Sequence, residues 1–153
     1  MELKKTILIL IFLFFNSPLN ADIIKPNQNL SPYDVVKIQL NALKNNNLFS
    51  KDSGIKQVWL FAHPENKKST GPFERFKKMI YGDQYEFLIQ HNSHKIELIM
   101  NSPAKHIFGV EILNKNKELF FYEWHVEKGS DANCKNCWFT SAVSIPVDQG
   151  NSI

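Results

Sequence analysis

Two cysteines, six glycines and no long apolar run limit what this 153-residue chain can be. With two cysteines it is not a disulfide-dense scaffold, and it holds no second Cys pair to complete a zinc ribbon. Gly54, Gly71 and Gly82 stand isolated, so no glycine-rich loop is present to cradle a phosphate. A serine nucleophile elbow is missing too. The formal charge of +3 is small and dispersed, which excludes the electrostatic footprint of a nucleic-acid binder. Lys67-Lys68 and Lys77-Lys78 read as solvated faces. The 43% hydrophobic and 22% charged residues exclude a disordered or collagen-like chain, and the length suits one domain.

The N-terminus carries an address. Lys4-Lys5, the apolar Thr6 to Phe15, then Asn16-Ser17-Pro18-Leu19-Asn20-Ala21 form the three zones of a secretory signal peptide over residues 1–21, with cleavage after Ala21. The apolar run is short of the roughly 20 residues that span a bilayer, which disfavours the alternative of an uncleaved anchor. No Cys follows it, so a lipoprotein anchor is excluded. The expected product is an exported protein, periplasmic or secreted, with no membrane contact once the leader is gone.

Cys134-Lys135-Asn136-Cys137 fits an oxidising compartment. Redox catalysis needs the first Cys at a helix N-terminus, whereas Trp138 to Ile145 reads as a strand. The preferred reading is a local disulfide at a strand entrance. So short a loop contributes only about 2 kcal/mol in the chain-entropy picture.

Residues 22–30 read as a flexible lead-in. Ser31-Pro32-Tyr33-Asp34 starts a helix, with Ser as cap, Pro first and an acid third. Val35, Ile38 and Ala42 with Val36, Leu40 and Leu43 continue it. Ile55, Val58, Trp59 and Ala62 mark a second helix stopped by Pro64, and residues 63–69 read as a polar connection. Phe73, Phe76 and Ile80 face one way on a third helix, which Gly82 is suited to end. Strands follow at 94–100, 107–113, 118–128 and 137–147, with a turn at Asn114 to Lys117. Tyr85 to Gln90 fits helix or strand. In the third strand Phe120, Tyr122, Trp124 and Val126 take the core side, and Leu119, Phe121, Glu123, His125 and Glu127 the other. The expectation is one α+β domain over residues 31–147. It has three N-terminal helices packed on a curved antiparallel sheet of about four strands, and a frayed tail at 148–153.

The stretch Phe61-Ala62-His63-Pro64-Glu65-Asn66-Lys67-Lys68-Ser69-Thr70-Gly71-Pro72-Phe73-Glu74-Arg75-Phe76, with Val35 to Leu43 before it and Cys137 to Thr140 after it, resembles an uncharacterised family of small domains found in bacteria and in plant plastid-associated proteins. That family, a domain of unknown function, brings no activity to transfer. Its order of elements is similar to the nuclear transport factor 2-like cone, a curved sheet around helices with a pocket at the open end. The cone hosts isomerases, dehydratases and pure binding modules, so the resemblance implies a fold and leaves function to the site.

Four places offer site chemistry. Trp59, Phe61, His63, Asn66, Arg75 and Phe76 combine aromatic lining with polar residues on a positioned loop and form the pocket candidate. The simpler reading of His63 is a cap on the negative helix end. Glu123, His125 and Glu127 share a strand face, where a carboxylate orients an imidazole for acid-base work; a solvated outer face explains them as well. His91-Asn92-Ser93-His94 offers two metal ligands: three apart in a strand they point to opposite faces, wrong for chelation, on a helical turn they would serve, and Asn92-Ser93 suggests a loop. With His106 elsewhere a site is conceivable, but no acid at ligand spacing accompanies it. Leu119 and Phe121 on the outer face mark a homodimer contact. The leading expectation is a noncatalytic protein that needs no cofactor or metal. It binds a small apolar ligand or a protein partner at the open end of the cone. The alternative is a cofactor-independent isomerase or hydrolase-like enzyme with a pocket His as base.

Overall fold

The computed structural model describes residues 23–151, so the leader at 1–21 and the last two positions of the expected tail lie outside it. Four helices, α1 (Pro32–Lys44), α2 (Ser53–Leu60), α3 (Pro64–Thr70) and α4 (Phe73–Ile80), are followed by a 3-10 turn at Glu86–Leu88. Five strands come next: β1 (Ser93–Asn101), β2 (Lys105–Leu113), β3 (Glu118–Gly129), β4 (Cys137–Val143) and β5 (Val147–Asn151). The fold is α+β with an antiparallel sheet in the order β1-β2-β3-β4. The sheet is open rather than closed into a barrel. The helices occupy 32–80, behind the 23–31 lead-in rather than at the very start of the chain.

Capping begins α1 as its sequence requires. Ser31 accepts from the Asp34 amide, and the Asp34 carboxylate accepts from the Ser31 amide, a reciprocal box with Pro32 in the first turn. Val35, Val36, Gln39, Leu40 and Leu43 are buried against the sheet. Ile38 and Ala42 instead border a groove shared with α2.

The helices number four where three were expected. Pro64 does not merely stop α2; it opens α3. A proline lacks the N–H that would be orphaned at a first helical position, so it serves a start as well as an end. His63 is the N-cap, its Nδ1 accepting from the Glu65 amide at 3.3 Å. No α3 residue is buried, so the segment has no apolar period to betray it.

The strands number five where about four were expected. β4 leaves β3 at Val143 rather than Val147. Ser144 then turns the corner, its amide donating to Glu123 O and its Oγ accepting from the Glu123 amide. β5 resumes on the same side of β3, pairing Phe121 with Val147 and Glu118 with Asn151. All five of its residues are exposed, so main-chain bonds alone define this part of the expected tail.

The other strands lie close to their expected places. Asn114 Oδ1 accepts from the amides of Asn116 and Glu118 and sets the β2–β3 turn. Phe120, Tyr122, Trp124 and Val126 are buried on the helix-facing side, with Glu123 exposed between them. The lead-in touches the body at Gln57, which donates to Ile24 O at 2.7 Å and accepts from its amide at 2.8 Å.

Gly54 sits in the first turn of α2 where the two helices cross. A Cβ there would stand 2.0 Å from the Ala42 carbonyl oxygen. Backbone cannot step aside as a flexible side chain can. Gly54→Ala is therefore expected to destabilise the fold by about 3 kcal/mol or more, beyond the ordinary overpacking range, read as a fall in the urea midpoint. Ala42→Gly in the same chain should not rescue it, because the clash is with the main chain.

Candidate functional site

A cavity of about 230 Å³ lies between α1, α2 and α4 on one side and β3 and β4 on the other. Its walls are mainly apolar, among them Leu43, Val58, Ile80 and Leu88. This lies between an engineered cavity of ~150 Å³ that admits benzene and the roughly 300 Å³ where drug-sized pockets begin.

Its polar floor is one network. The Trp124 indole N–H lies 3.1 Å from Gln39 Oε1 and 3.0 Å from Thr140 Oγ1, and Thr140 Oγ1 donates to Gln39 Oε1. Gln39 Nε2 donates to Val58 O at 3.2 Å. All three side chains are buried, and among the described residues no buried side-chain polar atom lacks a partner. An amide nitrogen has two hydrogens, so Gln39 keeps one donor beyond Val58 in a residue that lines the cavity.

At the rim stand Asn66, Thr70, Tyr85 and Ser141. Tyr85 donates to Val143 O at 3.1 Å, and burial raises its pKa above the ordinary phenol value, so the hydroxyl stays protonated. β4 is held on its other flank by a parallel bridge. The His63 amide donates to Thr140 O at 2.8 Å, and the Thr140 amide to Phe61 O at 2.7 Å. Every polar side chain in the lining is therefore uncharged at neutral pH; it contains no carboxylate, imidazole, ammonium, guanidinium or thiol.

Of the six residues grouped from sequence, Asn66 and Phe76 line this cavity and the other four do not. Phe61 is fully buried beside it in the core. Trp59 packs on the α4 side against Phe73 and Phe76, ring centroids 6.2 and 4.9 Å apart. The Lys67 ammonium lies 5.6 Å from its ring centre and donates to Leu60 O. Lys67, read as solvated, is thus the cation that caps the end of α2, the role given to His63. His63 meets the Phe139 ring edge-on instead and stands over Gly129, where a Cβ would come 2.7 Å from Nε2. Arg75 is exposed beside Gly71.

Gln39 and Thr140 were missed. The available signal was a glutamine at the i+4 position from Val35 and i−4 from Leu43, inside an apolar stripe.

The remaining candidates lie elsewhere. Glu123 and His125 are 3.4 Å apart on the outer sheet face. Phe121 is half-buried on that face, its ring over Gly109 beside Ile99. His106 packs against Phe108 and Trp138. Cys134 and Cys137 form a pair at disulfide-bonding distance at the entrance to β4. Among the described residues no three His, Cys, Asp or Glu side chains gather as metal ligands.

His91 and His94 meet across the loop that enters β1 rather than parting as two residues within a strand would. Gln90 takes a left-handed conformation (φ 54°), so His91 precedes the strand proper and its Nε2 meets His94 Nδ1 at 2.7 Å. His91 Nδ1 pairs with Leu88 O at 2.7 Å, which requires the N–H there and leaves Nε2 as acceptor. Burial pushes the His91 pKa down to about 4, with the His94 and Lys44 charges adding to the effect. The His94 pKa is also lowered, chiefly by burial.

Two predictions follow from these two networks. Gln39→Leu with Thr140→Val leaves the Trp124 N–H without an acceptor. The double variant should lose about 1–3 kcal/mol beyond the cost of reshaping, and adding Trp124→Phe should return part of it in denaturant titration. For His91, the unfolded chain binds a proton near its ordinary value of 6.5, while the folded chain resists until about 4. Stability is therefore full above pH 6.5 and falls as pH drops toward 4, by on the order of 2–3 kcal/mol. Urea midpoints at pH 7 and pH 5 should differ in the parent, and less in His91→Gln.

No protein-family model matches this chain, and no curated protein or solved structure matches it.

Proposed function

We propose that this is an exported, noncatalytic binding protein that holds a small, uncharged, mainly apolar ligand in the cavity between helices and sheet. The neutrality of the lining carries the reading. A buried charge on a ligand needs a partner or costs several kcal/mol, and the described lining offers none. An apolar body with one or two hydrogen-bonding atoms fits the spare Gln39 donor and the neutral rim.

The architecture is read as a variant of the nuclear transport factor 2-like cone. Helices precede an antiparallel meander, and the hollow lies between the two layers. Export rests on the leader-like sequence at 1–21 and on the cysteine pair, which suits an oxidising compartment. Among the described residues no helix is long and apolar enough to cross a membrane.

The isomerase or hydrolase alternative has no comparable support. It requires a base in the cavity, and none of the five histidines lines it. A protein partner at the open end would need more than the small neutral rim described above.

A thermal-shift screen with small neutral apolar compounds such as indole, cresols and medium-chain alcohols tests the reading. A true ligand at about 100-fold its Kd should add ~2.7 kcal/mol to stability and raise Tm by several degrees. Carboxylate or ammonium analogues of that compound should not. Ala142→Trp, at an exposed position on the rim, should abolish the shift while leaving the ligand-free Tm close to the parent. No shift with any compound at millimolar concentration would overturn the proposal.

A further inference from the structure

The loop between α1 and α2 is built to keep its shape while showing apolar side chains to solvent. Asn46 is fully buried; its Oδ1 accepts from the Ile55 amide and its Nδ2 donates to the Tyr81 hydroxyl. Asn46 O accepts from the Gly54 amide and from Ser53 Oγ, and the Asp52 amide donates to Asn47 Oδ1. Between these fixed points Leu48 is 65% exposed and Phe49 50% exposed. A loop with this much internal bonding has no need of two large apolar residues in water, and nothing in its own packing uses them.

They are not alone. Ile23 and Ile24, 49% and 44% exposed, share one open groove of about 560 Å³ with Leu48 and Phe49. Lys56 lines the same groove, and Lys25, Lys44 and Lys51 are exposed immediately beside lining residues in the chain. The one carboxylate between Val35 and Pro64 is Asp52. It is turned inward, accepting from Tyr81, with the Lys77 ammonium 3.8 Å away. Among the described residues the face therefore combines an apolar centre with a border of cations and no exposed anion; Asp22 adjoins Ile23 in the sequence.

We infer that the face around Ile23, Ile24, Leu48 and Phe49 seats the protein on an anionic lipid surface. The apolar side chains enter the boundary between headgroups and acyl chains, and the lysine ammoniums meet lipid phosphates. Lysine stems reach from apolar surface to the polar boundary, which suits Lys44, Lys51 and Lys56 beside the groove. This departs from the expectation of no membrane contact, which rested on the lack of a second spanning run. A peripheral contact requires none. The ligand cavity lies on the other side of α1 and α2, against the sheet, so the two readings stand or fall separately.

Because residues 6–15 can themselves partition into lipid, binding of the whole chain is not diagnostic, and a local readout is needed. Hydrogen exchange on the full-length protein is measured with and without vesicles of equimolar phosphatidylglycerol and phosphatidylcholine. Slower exchange confined to peptides from 45–53 and 23–25 is expected, with weaker protection on pure phosphatidylcholine. L48D/F49D should lose the protection at 45–53. K44E/K51E/K56E, which alters only exposed side chains, should lose the difference between the two lipids. Unchanged exchange on vesicles, or protection that L48D/F49D retains, overturns the inference. So does protection without lipid that rises with protein concentration, which assigns the face to a second copy. Protection of 6–15 together with 45–53 in the absence of vesicles also overturns it, by assigning the groove to the chain's own apolar run.

Discussion

A buried indole N–H must find an acceptor, and the way Trp124 finds one organises this molecule. Its partners come from α1 and from β4, and Gln39 reaches on to the last turn of α2 through Val58 O. One donor thus fixes where two helices sit on two strands. An apolar core tolerates many arrangements of similar volume, whereas a saturated polar network accepts few. The same groups form the polar end of the cavity. The feature that defines the packing therefore also sets the polarity of the hollow.

Histidine and charge are used for structure throughout the described chain. His63 caps a helix, His91 ties the 3-10 turn to the start of β1, and His106 packs between aromatic rings. Most ion pairs lie on surfaces, as with Lys68–Glu65 on α3 and Lys105–Glu127 on the sheet, the Lys77–Asp52 pair having a buried carboxylate. Exposed pairs of this kind contribute little to stability. The described lining of the cavity is free of ionised groups, in contrast to the titratable surface around it.

What could be read in advance followed from local physics. The Ser31-Pro32-Asp34 start, the Asn114 turn and the alternation in β3 each declare themselves within a few residues, and all three are in place. The misses share a cause as well. α3 buries no side chain and β5 exposes every one, so neither leaves a hydrophobic period. Gln39 was hidden because a polar residue in an apolar stripe reads as noise until its distant partners are known. Of the residues grouped from sequence, Asn66 and Phe76 line the hollow. Trp59 and Arg75 lie away from it, because aromatic and polar neighbours in sequence do not reveal which side of a short helix faces the hollow. His91 and His94 meet only because Gln90 breaks the strand geometry that would have parted them.

The bridge between Ala62 and Thr140 has a kinetic side. The floor of the hollow is assembled from residues 101 positions apart, Gln39 and Thr140. A ribosome delivers the first long before the second. Until β4 arrives, the wall opposite the first two helices is only half built and the tryptophan has only one of its acceptors. Contacts so distant along the chain form late and slow folding. The hollow is thus completed last, and a product that ended before β4 would have all four helices and no closed cavity.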